Sequence, residues 1–290
     1  MTAEALGTYE IAVEDVEYLR HGDKPLLARV YQPRGTGPFP LVLELHGGAW
    51  CHGDRTNDAM INEPLARSGV VVAALDFRMP PDAAYPGSLT DINYAIRWFK
   101  TRAGELHSRP NLVGLMGSSS GAHQAMLAAM RPNDPRYAAL PLPAGAPAVD
   151  ATVGCVVLLW PVIDPLGRYE YAKKLRAGGK PYPDVVDRVL PSHDEYWGSE
   201  AAMAEGSPAR ALERGEAAEL PPVLYIQGTR DVAHPRPDLD RFVAAYRKAG
   251  GEVQLELYED EPEGFMRTSK SPAVGQAMDR IREFVHARLK

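Results

Sequence analysis

The chain has 290 residues, 45% apolar and 24% charged, which is enough to bury a large core and too apolar for a disordered chain. Thirty-two basic and 38 acidic side chains leave a net charge of −6 without long like-charge blocks, which excludes a nucleic-acid footprint. No segment approaches the roughly 18 apolar residues of a membrane helix. Glu4, Glu10, Glu14 and Asp15 stand where a secretory leader needs a basic start and an apolar run, so the expectation is a cytoplasmic protein without membrane attachment.

In chain order, residues 9–19 and 26–31 alternate apolar with polar around the turn His21-Gly22-Asp23 and predict an antiparallel hairpin at a sheet edge. Apolar runs of strand length follow at 41–45, 70–75, 112–116, 153–160, 223–226 and 253–258. Helical spacing fills the gaps at 86–100, where Leu89, Ile92, Ala95, Ile96 and Phe99 share a face, and at 122–130, 239–249 and 274–289. The alternation predicts one α/β domain over residues 1–290, an eight-stranded mostly parallel sheet with helices on both faces. Residues 131–150, rich in Pro and Ala, and residues 164–220 break the rhythm. The second stretch is too long for an unstructured loop in a compact domain. Tyr169, Tyr171, Tyr182, Tyr196 and Trp197 crowd it, so it is read as a helical cap over the carboxyl end of the sheet.

Gly117-Ser118-Ser119-Ser120-Gly121 is a GxSxG pentapeptide between an apolar strand and an Ala-rich helix. Chance supplies roughly 0.1 such matches in a chain with this much glycine, before the strand-turn-helix setting is demanded. A sharp turn there lifts the middle serine, Ser119, out of the sheet as a nucleophile, while the flanking glycines let backbone pass without a clashing Cβ. His46-Gly47-Gly48-Ala49-Trp50 directly follows the third strand, where backbone N–H groups are needed to hold a developing oxyanion.

With both motifs in place, the chain resembles the α/β-hydrolases of the hormone-sensitive-lipase and feruloyl-esterase-like group, from about Leu41 to the C-terminus. Asp76-Phe77-Arg78 with Pro80, Pro86 and Asp91 fits the same pattern. The resemblance implies an α/β-hydrolase fold, an oxyanion hole from the N–H groups of Gly48, Ala49 and Ser120, and a structural His46. It also implies a triad acid at Asp231, in the Gly228-Thr229-Arg230-Asp231 loop after the strand 223–226. The pattern breaks at the base. Where the family carries His-Gly-Phe after the last strand, this chain has Glu263-Gly264-Phe265.

Glu263 is therefore taken as an atypical base beside Asp231. Two carboxylates in contact would titrate as a pair, with one pKa raised. Against this, the acids from Glu259 to Glu263 can equally form a solvated loop. His234, three residues past Asp231, and His193, reaching in from the cap, are the alternative bases. His123 is expected to pack internally, His286 to be solvated, and His52 to border the oxyanion loop. Trp50, Tyr169, Tyr196, Trp197 and Phe265 are expected to wall the substrate pocket.

The reading is a serine hydrolase cleaving a small carboxylic ester through an acyl-Ser119 intermediate, with no metal and no organic cofactor. Its partner is a small-molecule ester, not nucleic acid or membrane, and a homodimer is left open. Two alternatives stand beside it. One is a non-catalytic ligand-binding protein on a hydrolase scaffold, as in plant gibberellin receptors. The other is a Glu263-dependent non-hydrolytic enzyme of lyase or isomerase type. Cys51 and Cys155 lie in no CxxC pattern and are read as small buried apolar groups.

Overall fold

The structure, a computed structural model, describes residues 8–290. Residues 1–7, and Glu4 with them, lie outside it. Strands β1 (Ile11–His21) and β2 (Lys24–Pro33) form the expected antiparallel hairpin, with Gly22 in the left-handed region at the turn. There follow β3 (Leu41–Leu45), α1 (Ala59–Arg67), β4 (Val71–Leu75), α2 (Gly87–Thr101), β5 (Val113–Ser118), α3 (Ser120–Met130) and β6 (Val156–Leu159). Four helices come next, α4 (Pro165–Ala177), α5 (Val185–Trp197), α6 (Glu200–Glu205) and α7 (Pro208–Glu213), all inside the stretch expected to lack strands. The chain closes with β7 (Val223–Gly228), α8 (Arg236–Lys248), β8 (Val253–Tyr258), α9 (Phe265–Thr268) and α10 (Pro272–Arg288).

The eight strands form one sheet in the order β1-β2-β4-β3-β5-β6-β7-β8, and only β2 runs against its neighbours. This is the α/β-hydrolase fold. Its central strands are apolar on both sides because helices cover both faces. Leu41, Leu43, Leu45, Val71, Ala73 and Leu75 face α2, α3 and α8, whereas Val42, Val72, Ala74 and Met116 face α1 and α10. From β3 the chain steps outward to β4 and then returns across β3 to β5, so the connections diverge between β3 and β5. The crevice at the carboxyl ends of such a pair is where α/β sheets bind ligands. Both motifs of the sequence lie there.

Helices α1 and α9 were not legible in the apolar spacing. The first carries Pro64 in its interior and buries only Ile61, Leu65 and Ala66 as apolar residues, and the second is a single turn. Cys155 is buried and Cys51 half-buried, its thiol directed at the Ser192 carbonyl (3.5 Å), and neither forms a disulfide. Among the described residues no helix is long and apolar enough to cross a membrane.

Candidate active site

Ser119 sits between the end of β5 and the start of α3 with φ 51° and ψ −116°. Positive φ at a non-glycine residue is strained, by about 1–3 kcal/mol, and persists only where its surroundings impose it. Here they do. The Ser119 N–H donates to the Leu159 carbonyl (2.9 Å), while its own carbonyl accepts from His123 (3.1 Å) and Val162 (3.2 Å). Gly121 permits the close approach of α3 to the sheet, since a Cβ there would stand 2.0 Å from the Leu45 carbonyl oxygen.

His234 Nε2 lies 3.1 Å from Ser119 Oγ, and His234 Nδ1 lies 2.9 Å from Asp231 Oδ2. With Nδ1–H donating to the carboxylate, Nε2 carries the lone pair that accepts the serine hydroxyl. All three side chains are withdrawn from solvent: Ser119 is 8% exposed and the His234 and Asp231 side chains 3% and 0%. The three-residue separation of Asp231 and His234 is what makes the contact possible. Asp231 Oδ1 accepts the N–H groups of Ala233 (2.8 Å) and His234 (3.0 Å), folding the loop into an Asx turn that returns the imidazole over its own acid. Gln227 then holds the His234 carbonyl (3.0 Å).

The expected contact between Glu263 and Asp231 is not formed. Asp231 is filled by the two N–H groups and the imidazole, and Ser119 Oγ meets His234 instead. Glu263 is half-buried and, among the described residues, hydrogen bonds to none of the three. Its charge is felt by Arg168 and Arg267. The signal in the sequence that pointed to His234 was a histidine three residues past the loop acid, within one turn's reach.

On the other side of Ser119, Gly48 has φ 124°, and a Cβ there would stand 1.9 Å from the His52 carbonyl oxygen. That carbonyl-lined turn is held by Cys51 and His52, whose N–H groups both donate to the Gly48 carbonyl (3.1 and 3.0 Å). Trp50 N–H donates to Ser120 Oγ (3.1 Å) and Gly47 N–H to Ser118 Oγ (3.0 Å). Among the described residues the N–H groups of Gly48 and Ala49 have no protein acceptor. Ser120, first residue of α3, has none within its helix. His46 stacks on Phe77 (4.4 Å) with Nδ1 on the Gly47 carbonyl (2.8 Å), and burial lowers its pKa.

Beneath the elbow lies a buried polar cluster. Ser118 Oγ donates to Asp58 Oδ2 (2.8 Å), and Arg267 donates to Asp58 through Nε (2.5 Å) and Nη2 (2.7 Å) and to Ser118 Oγ (2.7 Å). Burial alone would raise the Asp58 carboxyl, but Arg267 and Ser118 hold it below its ordinary pKa. Glu44 alongside goes the other way, driven well up by burial and by the Asp58 charge. The two carboxyls are thus driven apart, Asp58 towards its charged form and Glu44 towards its neutral one.

The residues expected to wall a pocket are differently disposed. Trp50, Tyr196 and Trp197 are buried against one another, Trp50 stacking on Tyr196 with centroids 5.5 Å apart, and Tyr196 OH bonding Ser88 Oγ (2.6 Å). Tyr169 is partly exposed and donates to Asp194 (2.6 Å). Phe265 lies in the opposite core with Trp160 and Tyr258, because Gly264, at φ 68°, turns the chain away from the site. His193 is buried in the α5 helix on the Val189 carbonyl (2.8 Å). His123 bridges Trp50 Nε1 (3.1 Å) and the Gly206 carbonyl (2.8 Å). His52 is exposed. His286 is not solvated as expected but half-buried, with Nε2 on the Ser68 carbonyl (3.0 Å). A cavity of about 10 Å³ remains beside His234, bordered by Val162, Arg168 and Asp238 among others, room for about one water.

Comparison with known proteins agrees with this architecture. The BD-FAE family matches residues 29–170. Esterase LipC of Mycobacterium tuberculosis is 29% identical over 249 residues, which cover 81% of this chain and 57% of that protein. Probable carboxylic ester hydrolase LipM of the same organism is 25% identical over 214 residues, 73% of this chain and 46% of that one. The chain thus spans about half the length of these curated relatives. Among solved structures, a Pyrobaculum calidifontis esterase superposes with a TM-score of 0.76 at 22% identity, over 96% of this chain and 86% of the other. It shares the fold.

Proposed function

We propose that this chain is a serine hydrolase that cleaves a carboxylic ester, with Ser119 as nucleophile, His234 as general base and Asp231 as the acid that orients it. The observation that carries the reading is the relay Asp231–His234–Ser119, at 2.9 and 3.1 Å, ending beside backbone N–H groups without acceptors. Attack of Ser119 Oγ on the ester carbonyl passes the hydroxyl proton to His234 Nε2. The new oxyanion is met by Gly48, Ala49 and Ser120 N–H. His234 then gives the proton to the departing alkoxide, leaving acyl-Ser119. A water, deprotonated by the same nitrogen, releases the acid. Asp231 supports the imidazolium in both halves without taking the proton.

The esterase names of LipC and LipM support the substrate class. A pure binding protein would have no use for the strain held at Ser119 or for the unfilled N–H groups. Intact-mass labelling with a fluorophosphonate tests the reading, because only an activated serine reacts quickly. One adduct, lost in Ser119→Ala together with aryl-ester hydrolysis, is expected. Wild-type protein that neither labels nor cleaves esters would refute it.

A further inference from the structure

Arg168, on the first turn of α4, is 2% exposed, more deeply set than any other arginine of the described residues. Its guanidinium lies over the Trp50 ring (5.2 Å) and its Nε approaches His193 Nε2 (3.5 Å). Nη2 has no hydrogen-bond partner, and no carboxylate of the described residues comes within ion-pair distance. Less buried arginines fare better: Arg267 holds Asp58 (2.5 Å), Arg210 holds Asp164 (2.9 Å) and Arg131 holds Glu205 (2.7 Å). An unpaired buried charge is among the costliest arrangements in a protein, and it survives where function needs it. Burial pulls this guanidinium down to about 10, so it stays charged at neutral pH.

Its position is as telling as its isolation. Arg168 borders the cavity that His234 borders, and the ring beneath it, Trp50, directly follows Gly48 and Ala49. Two acids, Asp164 and Asp238, share that cavity. Asp164 is already held by Arg210 (2.9 Å) and Arg241 (3.1 Å), and Asp238 lies 3.5 Å from Arg241, so neither answers Arg168. We propose that Arg168 seats a carboxylate carried by the substrate itself, so that the preferred ester bears a free acid group, as in the half-esters of short dicarboxylic acids. The proposal rests on the hydrolase reading above. Because the cavity of about 10 Å³ admits no such ligand as it stands, the first turn of α4, which carries Arg168, must draw back from the segment His234 to Asp238 for entry.

The test compares monoethyl glutarate with the neutral ethyl valerate by pH-stat. Wild type should favour the charged ester. Arg168→Met should lower the charged-to-neutral ratio of kcat/KM about 10- to 100-fold, the worth of a hydrogen-bonded ion pair, with Arg168→Lys in between. No preference in wild type would overturn the proposal. So would a ratio unmoved by Arg168→Met, including equal loss on both esters, which would mean that Arg168 merely offsets Asp231, Asp238 and Glu263 through space.

Arg168→Met should also melt no lower than wild type, since it removes a buried unpaired charge at similar volume. A lower melting temperature would mark the guanidinium as structural and count against the seat. Calorimetry of glutarate separates this proposal from the hydrolase reading. Binding retained in Ser119→Ala and lost in Arg168→Met supports the seat even if no ester is cleaved. Absence of binding overturns it even if esters are.

Discussion

At the scale of single residues, the proposed base is the group that meets Ser119 Oγ, His234 Nε2 at 3.1 Å. His234→Ala should lower kcat/KM on short aryl esters by about 10²–10⁴-fold, the usual worth of a positioned general base. Glu263→Gln, which touches neither Ser119 nor Asp231, should stay within about threefold of wild type, less than 1 kcal/mol of transition-state binding. Equal losses in the two variants would return the base to Glu263. The positions of Ser119 and Asp231 in the fold were legible because the elbow and the loop after β7 are tied to strand ends by local chain geometry. Which of His234 and Glu263 contacts Ser119 was not. It depends on the Asx turn made by Asp231 Oδ1, a contact between side chain and backbone that no apolar spacing encodes. Phe265 misled for a related reason, since its neighbour Glu263 belongs to the site's loop while Gly264 turns Phe265 into the opposite core.

At the scale of elements, every strand was legible, the central ones because a parallel strand covered on both faces is apolar along its length, and the edge hairpin β1–β2 because its apolar and polar residues alternate. The site depends equally on a device that was invisible. Asp58 precedes α1, Ser118 ends β5 and Arg267 lies in α9, three distant points of the chain joined by hydrogen bonds of 2.5–2.8 Å. Because Ser118 Oγ also receives the Gly47 N–H (3.0 Å), the cluster sets the spacing between nucleophile and oxyanion donors. Asp58→Ala should cost about 1–3 kcal/mol in urea unfolding, since Arg267 and Ser118 Oγ lose their acceptor while the Arg267 side chain keeps 28% of its surface in water. Replacing Asp58 and Arg267 together by apolar residues should cost less than Asp58→Ala alone. Additive losses would show that the pair is not coupled. Gly121→Ala should be worse tolerated than either, since its Cβ would meet backbone, the Leu45 carbonyl at 2.0 Å, which cannot swing aside.

At the scale of the whole molecule, the net charge of −6 was plain in the sequence, but which ionisable groups would be buried was not, and those govern stability against pH. Two pull in opposite directions. Burial holds His123 at about 4, neutral between Trp50 Nε1 and the Gly206 carbonyl. The unfolded chain, with its histidine near 6.5, binds more protons between those values, so this contribution is lost as pH falls from about 6.5 towards 4. Burial and the Asp164 charge lift Asp238 to about 7 from an ordinary value of 3.8. There the native state binds more protons, so stability falls as pH rises from about 4 to 7, by at most about 4 kcal/mol. Over the shared window these two slopes oppose each other. Asp238→Asn keeps the shape of the protonated acid and removes its titration. Urea unfolding at pH 4.5, 6 and 8 should find the variant close to wild type at the lowest pH and progressively more stable above it, its own profile now rising with pH through the His123 window. A gain of the same size at all three values, or one largest at pH 4.5, would show that Asp238 does not carry the raised proton affinity on which the opposing slope depends.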